Sequence, residues 1–317
     1  MDFLSHFFLG FLISALTINF FGLDFFIFCT IMSIVPDLDI FLQPLSKRKK
    51  SYYLSHRGGS HSYIIGLMIS PIAGGIFYLV TNKGFFLAVI LGFIFYAIHV
   101  TFDLFTTSKI PIFFPLSKKE YRLSVDRAIN SFLLLFSTIN ISTFLILYFI
   151  WSRAYYSTIL WIVYFIIYSA YFTYKIITKI WVEFILPENC AYIPGVLPFV
   201  YFIYENYIED NCNIIHFTKK FQFMSKRKKI VENIIKNNSE ESIYFEKTKL
   251  ISKKYRFFLK WNAIIPIIQT NKDTVEVTLF LAESYVNGTA YSVKVVFNKN
   301  NSEVIQIYNG FNKIYLE

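Results

Sequence analysis

The sequence predicts an α-helical integral membrane bundle of about six helices followed by a small, mostly antiparallel β-rich domain. Three observations lead there. The chain is 55% hydrophobic and only 16% charged, whereas an ordinary soluble domain carries about 25% charged residues. The apolar runs concentrate in residues 1–205. Past residue 215 the sequence becomes ordinary in polarity, and beyond a basic stretch at about 219–237 it alternates with the period of a strand. Two domains follow: 1–205, the membrane-embedded helices with a linker, and 206–317, a basic helix plus a β-rich domain.

A spanning helix needs about 20 mostly apolar residues. Six stretches qualify or come close: 3–20, 23–41, 63–80, 84–106, 131–151 and 157–178. The first two are short and share a tight turn around Asn19 to Gly22, so they read either as two spans or as a re-entrant pair. Helix is the expected state because backbone exposed to lipid must satisfy its own hydrogen bonds.

The loops set the orientation. Loop 42–62 carries Lys47, Arg48, Lys49, Lys50 and Arg57, and loop 107–130 carries Lys109, Lys118, Lys119, Arg122 and Arg127. The opposite loops offer Lys83 and Arg153. The positive-inside rule places the basic side in the cytoplasm. The chain is thus expected to be a multi-pass protein of the plasma membrane with both termini, and the C-terminal domain, cytoplasmic. The net charge of +10 then suits anionic lipid, and no nucleic acid partner is expected.

Residues 179–214, with Pro187, Pro194, Gly195 and Pro198, read as a linker. A basic helical stretch is expected at about 219–237, around Lys226 to Lys229. Strands are expected at 242–251, 255–269, 274–283, 289–298 and 303–309, with turns at Asn287-Gly288 and Asn298 to Asn301. Cys29, Cys190 and Cys212 form no CxxC pair and set no disulfide framework.

Ionisable residues in membrane helices are costly and mark function. Four of the five histidines, His6, His56, His61 and His99, lie in the membrane half. The topology brings His6, Asp37, Asp39, His56, His61, His99 and Asp103 to one face at one depth. Three local patterns carry them. Ser33-Ile-Val-Pro-Asp-Leu-Asp39 ends a helix in two carboxylates, with Pro36 helping to stop it; a polar helix end meeting water is the bland alternative. His56-Arg-Gly-Gly-Ser-His-Ser62 sets two imidazoles around a turn that Gly58 and Gly59 let close tightly, with Ser60 or Ser62 capping the next helix. His99-Val-Thr-Phe-Asp103 shares one helix face; a single histidine–carboxylate bond is its plainer reading.

Seven nitrogen and oxygen donors exceed what one tetrahedral zinc takes. They suit two divalent ions bridged by carboxylate. Imidazole with carboxylate fits zinc, manganese or iron without choosing among them, and zinc is taken as the first candidate. Arg57 is the candidate catalytic side chain, since its fork matches phosphate or sulfate oxygens; pairing with a carboxylate is the competing role.

At these residues the sequence resembles the YdjM-type membrane-bound metal-dependent hydrolases. The resemblance rests on His6, Pro36-Asp-Leu-Asp39, His56-Arg-Gly-Gly-Ser-His-Ser62, and His99 with Asp103 followed by Pro111 and Pro115. It covers about residues 1–205. Family members usually carry threonine where Ser60 stands, which preserves the hydroxyl. His99-x-x-x-Asp103 also resembles the helical metal motif of zinc-dependent phospholipase C and P1-type nucleases. The resemblance implies a metal-dependent hydrolase, and the second likeness favours a phosphoester; a site at the cytoplasmic interface suits an amphiphilic or lipid substrate, with metal-activated water as the expected nucleophile. A metal transporter or channel, or a structural or sensory protein stapled by metal, are the alternatives. His216 is expected to be incidental.

Overall fold

The structure, a computed structural model, describes residues 3–42, 57–128, 130–150, 158–224 and 226–314. The chain divides into two compact units, Met1–Tyr174 and Lys175–Glu317.

The first unit is helical. Helix α1 is Phe3–Ala15, α2 Ile18–Phe21 and α3 Leu23–Met32; a 3-10 segment, Val35–Leu42, follows. Then come α4 Tyr63–Thr81, α5 Phe85–Leu104 and α6 Ser131–Ile150; α7, Thr158–Ile185, continues into the second unit. Among the described residues, three stretches are long and apolar enough to cross a membrane: Tyr63–Thr81, Phe85–Leu104 and Trp161–Ile185. Phe3–Ala15, Leu23–Met32 and Ser131–Thr143 are apolar and shorter. At 13 residues, α1 rises only about 20 Å, short of a hydrocarbon core of about 30 Å. Gly22 turns the chain between α2 and α3 with φ of 83°, a conformation glycine adopts without strain.

The expected helix over 23–41 is broken. The helix ends at Met32 and tightens, with Ile34 N donating to Ile31 O. Pro36 has no N–H and cannot continue the α-helical ladder. The 3-10 segment that results projects Asp37 and Asp39 from a short turn.

Two apolar layers hold the helices. Phe25, Phe28 and Met32 of α3 pack against Phe95, Tyr96 and Val100 of α5. Phe8, Leu9 and Leu12 of α1 pack against Leu133 of α6 and Trp161, Tyr168 and Phe172 of α7. Helices α4 and α5 approach through glycine: a Cβ at Gly66 would lie 2.4 Å from Tyr96 Cδ1. Small residues permit this closeness where helix association depends on packing. The segment joining α5 to α6 is buried at both ends, over Thr106–Ser108 and Val125–Ala128. Arg127, counted above as a loop cation, is only 2% exposed. Asp126 takes hydrogen bonds from Asn130 Nδ2 at 2.8 Å and Tyr171 Oη at 2.9 Å.

The second unit holds two four-stranded antiparallel sheets, ordered β1-β2-β3-β4 and β5-β6-β7-β8. The first consists of Cys190–Pro194, Val200–Glu209, Cys212–Phe221 and Arg227–Lys236; the second of Ile264–Thr270, Thr274–Leu281, Thr289–Asn298 and Val304–Lys313. Between them lie α8, Glu240–Ser252, and α9, Arg256–Lys260. Ile193, Phe202 and Phe217 of the first sheet share a core with Ile265, Phe280 and Ala290 of the second.

Several expectations need correction here. The expected linker contains the end of α7 and strands β1 and β2. Asp210 and Asn211 have φ of 46° and 62° and close a two-residue hairpin in the register Glu209↔Cys212, the turn such residues favour. The expected basic helix at 219–237 is the hairpin of β3 and β4. Lysine and arginine favour helix in isolation, but pairing with β3 buries Val231 and Ile235. The expected strand at 242–251 is helix α8. Ser239 caps it by accepting from Ser242 N at 3.2 Å, and Glu240 and Glu241 occupy its first turn, where acidic groups suit the helix dipole.

Candidate metal centre

Four segments supply the centre. The 3-10 turn presents Asp37 and Asp39. The loop before α4 presents Arg57 and His61. Helix α5 presents His99 and Asp103 one turn apart on its buried face. Helix α1 adds His6 from its first turns. His56 falls outside the described residues.

The backbone of the loop is held in place at both ends. Arg57 has a left-handed φ of 57°, which is unusual for a residue with a side chain. The positive φ in this turn is at Arg57 and not at Gly58 or Gly59. The Arg57 N–H donates to Asp39 Oδ2 at 3.0 Å. His61 N closes a turn onto Gly58 O at 3.2 Å. Ser62 is the N-cap of α4, accepting from Ile64 N at 3.2 Å, and its hydroxyl is 2.6 Å from Phe114 O. Tyr96 Oη hydrogen-bonds Ser60 O.

At the middle, Asp37 Oδ1, His61 Nε2, His99 Nε2 and Asp103 Oδ2 converge. The atoms chosen from Asp37, His61, His99 and Asp103 all lie within 4.8 Å of one another. His61 Nε2 is 3.3 Å from Asp37 Oδ1, 2.9 Å from Asp103 Oδ2 and 3.4 Å from His99 Nε2. His99 Nε2 is 3.6 Å from Asp37 Oδ1 and 3.8 Å from Asp103 Oδ2. Donors at about 2.0–2.1 Å from a tetrahedral ion lie about 3.4 Å apart. The measured edges bracket that value. All four residues are buried, none more than 5% exposed.

The ring tautomers follow from the outer contacts. His99 Nδ1 lies 2.7 Å from Ser33 O. A carbonyl only accepts, so Nδ1 carries the proton and Nε2 presents its lone pair inward. His61 Nδ1 lies 3.0 Å from Ser60 Oγ and 3.4 Å from Asp39 Oδ2, which gives the same result. Ser60 Oγ in turn donates to Asp39 Oδ2. Two imidazole lone pairs and two carboxylate oxygens therefore face one another in a dry place. Asp37 Oδ1 is buried without a hydrogen bond. Uncompensated, such an arrangement is costly. A divalent cation relieves it, and the donor set fits one.

Three predicted residues stand beside this group. Asp39 lies on the outer, Nδ1 side of His61. His6 Nε2 is 3.2 Å from Asp103 Oδ1, and its ring stacks on His99 with centroids 3.7 Å apart. Arg57 Nη2 donates to the same Asp103 oxygen at 3.1 Å. Sequence reasoning did not find Ser33, whose carbonyl orients His99. A carbonyl leaves no mark in side-chain chemistry, so no motif signals it. Tyr96 was missed for a different reason: within an apolar helix it reads as one more aromatic.

A helical membrane unit built around a buried histidine–aspartate centre is the class these observations define. The chain belongs to the YdjM inner membrane protein family, whose model matches residues 1–179. The match spans the membrane unit and every residue of the centre. No curated protein and no solved structure matches the chain.

Proposed function

We propose that the chain is a membrane-bound, metal-dependent hydrolase acting on a phosphoester of an amphiphilic or lipid substrate. The observation that carries this reading is the convergence of Asp37, His61, His99 and Asp103 with both imidazoles turned lone-pair inward. These four would hold the ion, and zinc suits them best, with manganese or iron as alternatives. When bound, the ion supplies Lewis acidity toward a phosphoryl oxygen and lowers the pKa of water. The chain's own groups do the rest. Asp39 and Ser60 hold the His61 ring, and Ser33 holds His99. Arg57 neutralises Asp103 and is a cation placed beside the centre for an anionic phosphate. His6, stacked on His99, is placed to hold or pass a proton. A second ion would need His6, Asp39 and His56 as well.

The basic loops favour a centre that opens to the cytoplasm, with both termini and the second unit on that side. A cysteine in loop 42–55 should then resist impermeant labels added outside intact cells, and one beside Asn82 should react.

One observation favours a second reading. Four protein atoms lie within 4.8 Å of one another, enough donors to fill a four-coordinate shell by themselves, as in structural rather than catalytic zinc sites. Metal analysis of detergent-purified protein, with His61→Ala beside it, tests the centre. X-ray absorption on the loaded protein, with a panel of lipid phosphoesters, tests the reaction. Metal retained by His61→Ala overturns the centre. A full metal complement with a closed four-atom protein shell and no hydrolysis leaves a structural staple.

A further inference from the structure

The first sheet carries a feature that the metal centre does not use. Its end formed by the β1–β2 and β3–β4 loops is apolar at the tip and basic behind it. Phe223 is 81% exposed and Met224 60%. Phe199, from the neighbouring loop, meets Phe223 with centroids 6.4 Å apart, and its carbonyl accepts from Gln222 N at 2.9 Å. The two loops thus form one protrusion.

Behind it stand cations in register. Lys219 pairs across the strands with Lys228, and Lys220 with Arg227. Like charges directly opposite each other destabilise a sheet. Glu205 answers Arg227 at 3.0 Å. No acidic residue occurs between Thr218 and Val231 or between Gly195 and Tyr204. Neighbouring strand residues face opposite sides, so the Lys219–Lys228 pair lies on one face of the tip and the Lys220–Arg227 pair on the other, and both faces are suited to anions from outside the sheet.

The protrusion is tied to the C-terminal part of α7. Lys175 Nζ donates to Gly195 O at 3.1 Å, and Thr178 Oγ1 donates to Gln222 Oε1 at 3.4 Å. Both α7 residues fall inside the apolar stretch Trp161–Ile185. Beyond them α7 still exposes Ile180, Trp181 and Phe184. A loop tied to a helix at this level lies where that helix meets lipid. Aromatic and apolar tips enter the headgroup boundary, and flanking lysines meet anionic headgroups.

We infer that the tip of the first sheet, Phe199, Phe223 and Met224 with Lys219, Lys220 and Lys228, docks the C-terminal unit onto the anionic surface of its own membrane. The occupant is the phospholipid headgroup layer. The docking keeps the second unit against the bilayer instead of free in water.

The test uses the full chain reconstituted into phosphatidylcholine vesicles, with and without phosphatidylglycerol. Cys190 and Cys212 are replaced by serine, and Cys29 is left because it is buried. An environment-sensitive fluorophore is attached at Phe223→Cys, at Met224→Cys as a second reporter, and at Asn211→Cys, at the far end of the same sheet. The two tip reporters should be quenched by lipids spin-labelled near the headgroup and shielded from iodide, most strongly in anionic vesicles. Asn211→Cys should show the reverse. Lys228→Gln should lower the docked-to-undocked ratio about fivefold in anionic vesicles, as expected for one lysine at such a surface, and leave neutral vesicles unchanged. Tip reporters as open to iodide as Asn211→Cys would overturn the docking. Tip quenching indifferent to phosphatidylglycerol and to Lys228→Gln would overturn the anionic surface as its partner.

Discussion

Each unit of this chain sets a histidine between carboxylates, and the two arrangements differ in burial and in where the ring nitrogens point. In the membrane unit, His61 and His99 each spend one ring nitrogen on an outer partner and turn the other inward. In the second unit, His216 Nδ1 faces Glu205 at 3.3 Å and Nε2 faces Glu232 at 3.0 Å. Both nitrogens of His216 are engaged, on opposite sides, along a row across β2, β3 and β4. The first arrangement is buried and convergent; the second is partly exposed and linear. Ligand-type residues become a metal centre only when several elements aim free lone pairs at one point. A sheet row distributes the same groups along a line.

The sharpest way to break the comparison is to remove a carboxylate from each side. Asp103 meets His6, Arg57 and His61 in a fully buried setting. Asp103→Ala breaks this buried ion pair by removing one partner, which typically costs about 3–5 kcal/mol. Thermal unfolding in detergent should show that loss, together with loss of metal. Glu232→Gln should show neither. Equal effects at both sites would erase the distinction between convergent and linear clusters.

The outer partners give the next effect. Asp39 touches His61 from the side away from the centre. Asp39→Ala should weaken metal affinity about 10–100-fold, the usual consequence of losing such a support, as measured by chelator competition. An unchanged affinity would mean that Ser60 alone orients the ring.

A smaller effect separates packing from backbone conformation. A Cβ at Gly10 would lie 1.8 Å from Ser33 Oγ, and Ser33 carries the carbonyl that orients His99. Gly10→Ala should cost about 1–3 kcal/mol through overpacking and should also weaken metal binding. Gly288, with φ of 84° and open space around it, is the counterpart in the second unit. Gly288→Ala should cost about 1–2 kcal/mol through conformation alone and leave the metal untouched.

Much of the centre was legible in the sequence because its donors are charged or imidazole groups stranded in apolar surroundings. His99 and Asp103 needed only the helical period. Asp37, Asp39 and His61 needed the loop charges to set one depth. The hydrogen-bonding shell was not legible, because the Ser33 carbonyl and the left-handed Arg57 depend on the path of the backbone. In the second unit, strand period located Thr289–Asn298 and the Asn287-Gly288 turn. The same period misled at 242–251, where the Ser239 cap and two glutamates outweigh an ambiguous alternation. At 219–237 the lysine run concealed a strand, since charge on the solvent face says nothing of what the intervening residues pair with.

The smallest expected effect concerns acid. The hydrogen bond from Lys229 holds the Glu232 carboxyl below the usual glutamate range. A carboxyl depressed in the folded state adds stability above its unfolded value of about 4.3 and loses it as pH falls through the folded value. The pairing is at the surface, so its effect is local to β4. Hydrogen exchange of β4 peptides, compared between wild type and Glu232→Gln at each pH, reads it directly. Protection should be greater in wild type near neutral pH, and the difference should close once the solution is acidic enough to protonate Glu232. Metal content should not differ between the two proteins at neutral pH. A difference in protection that persists in strong acid would show that Glu232 holds β4 by something other than its charge, and the His216 row would then owe its order to strand pairing alone.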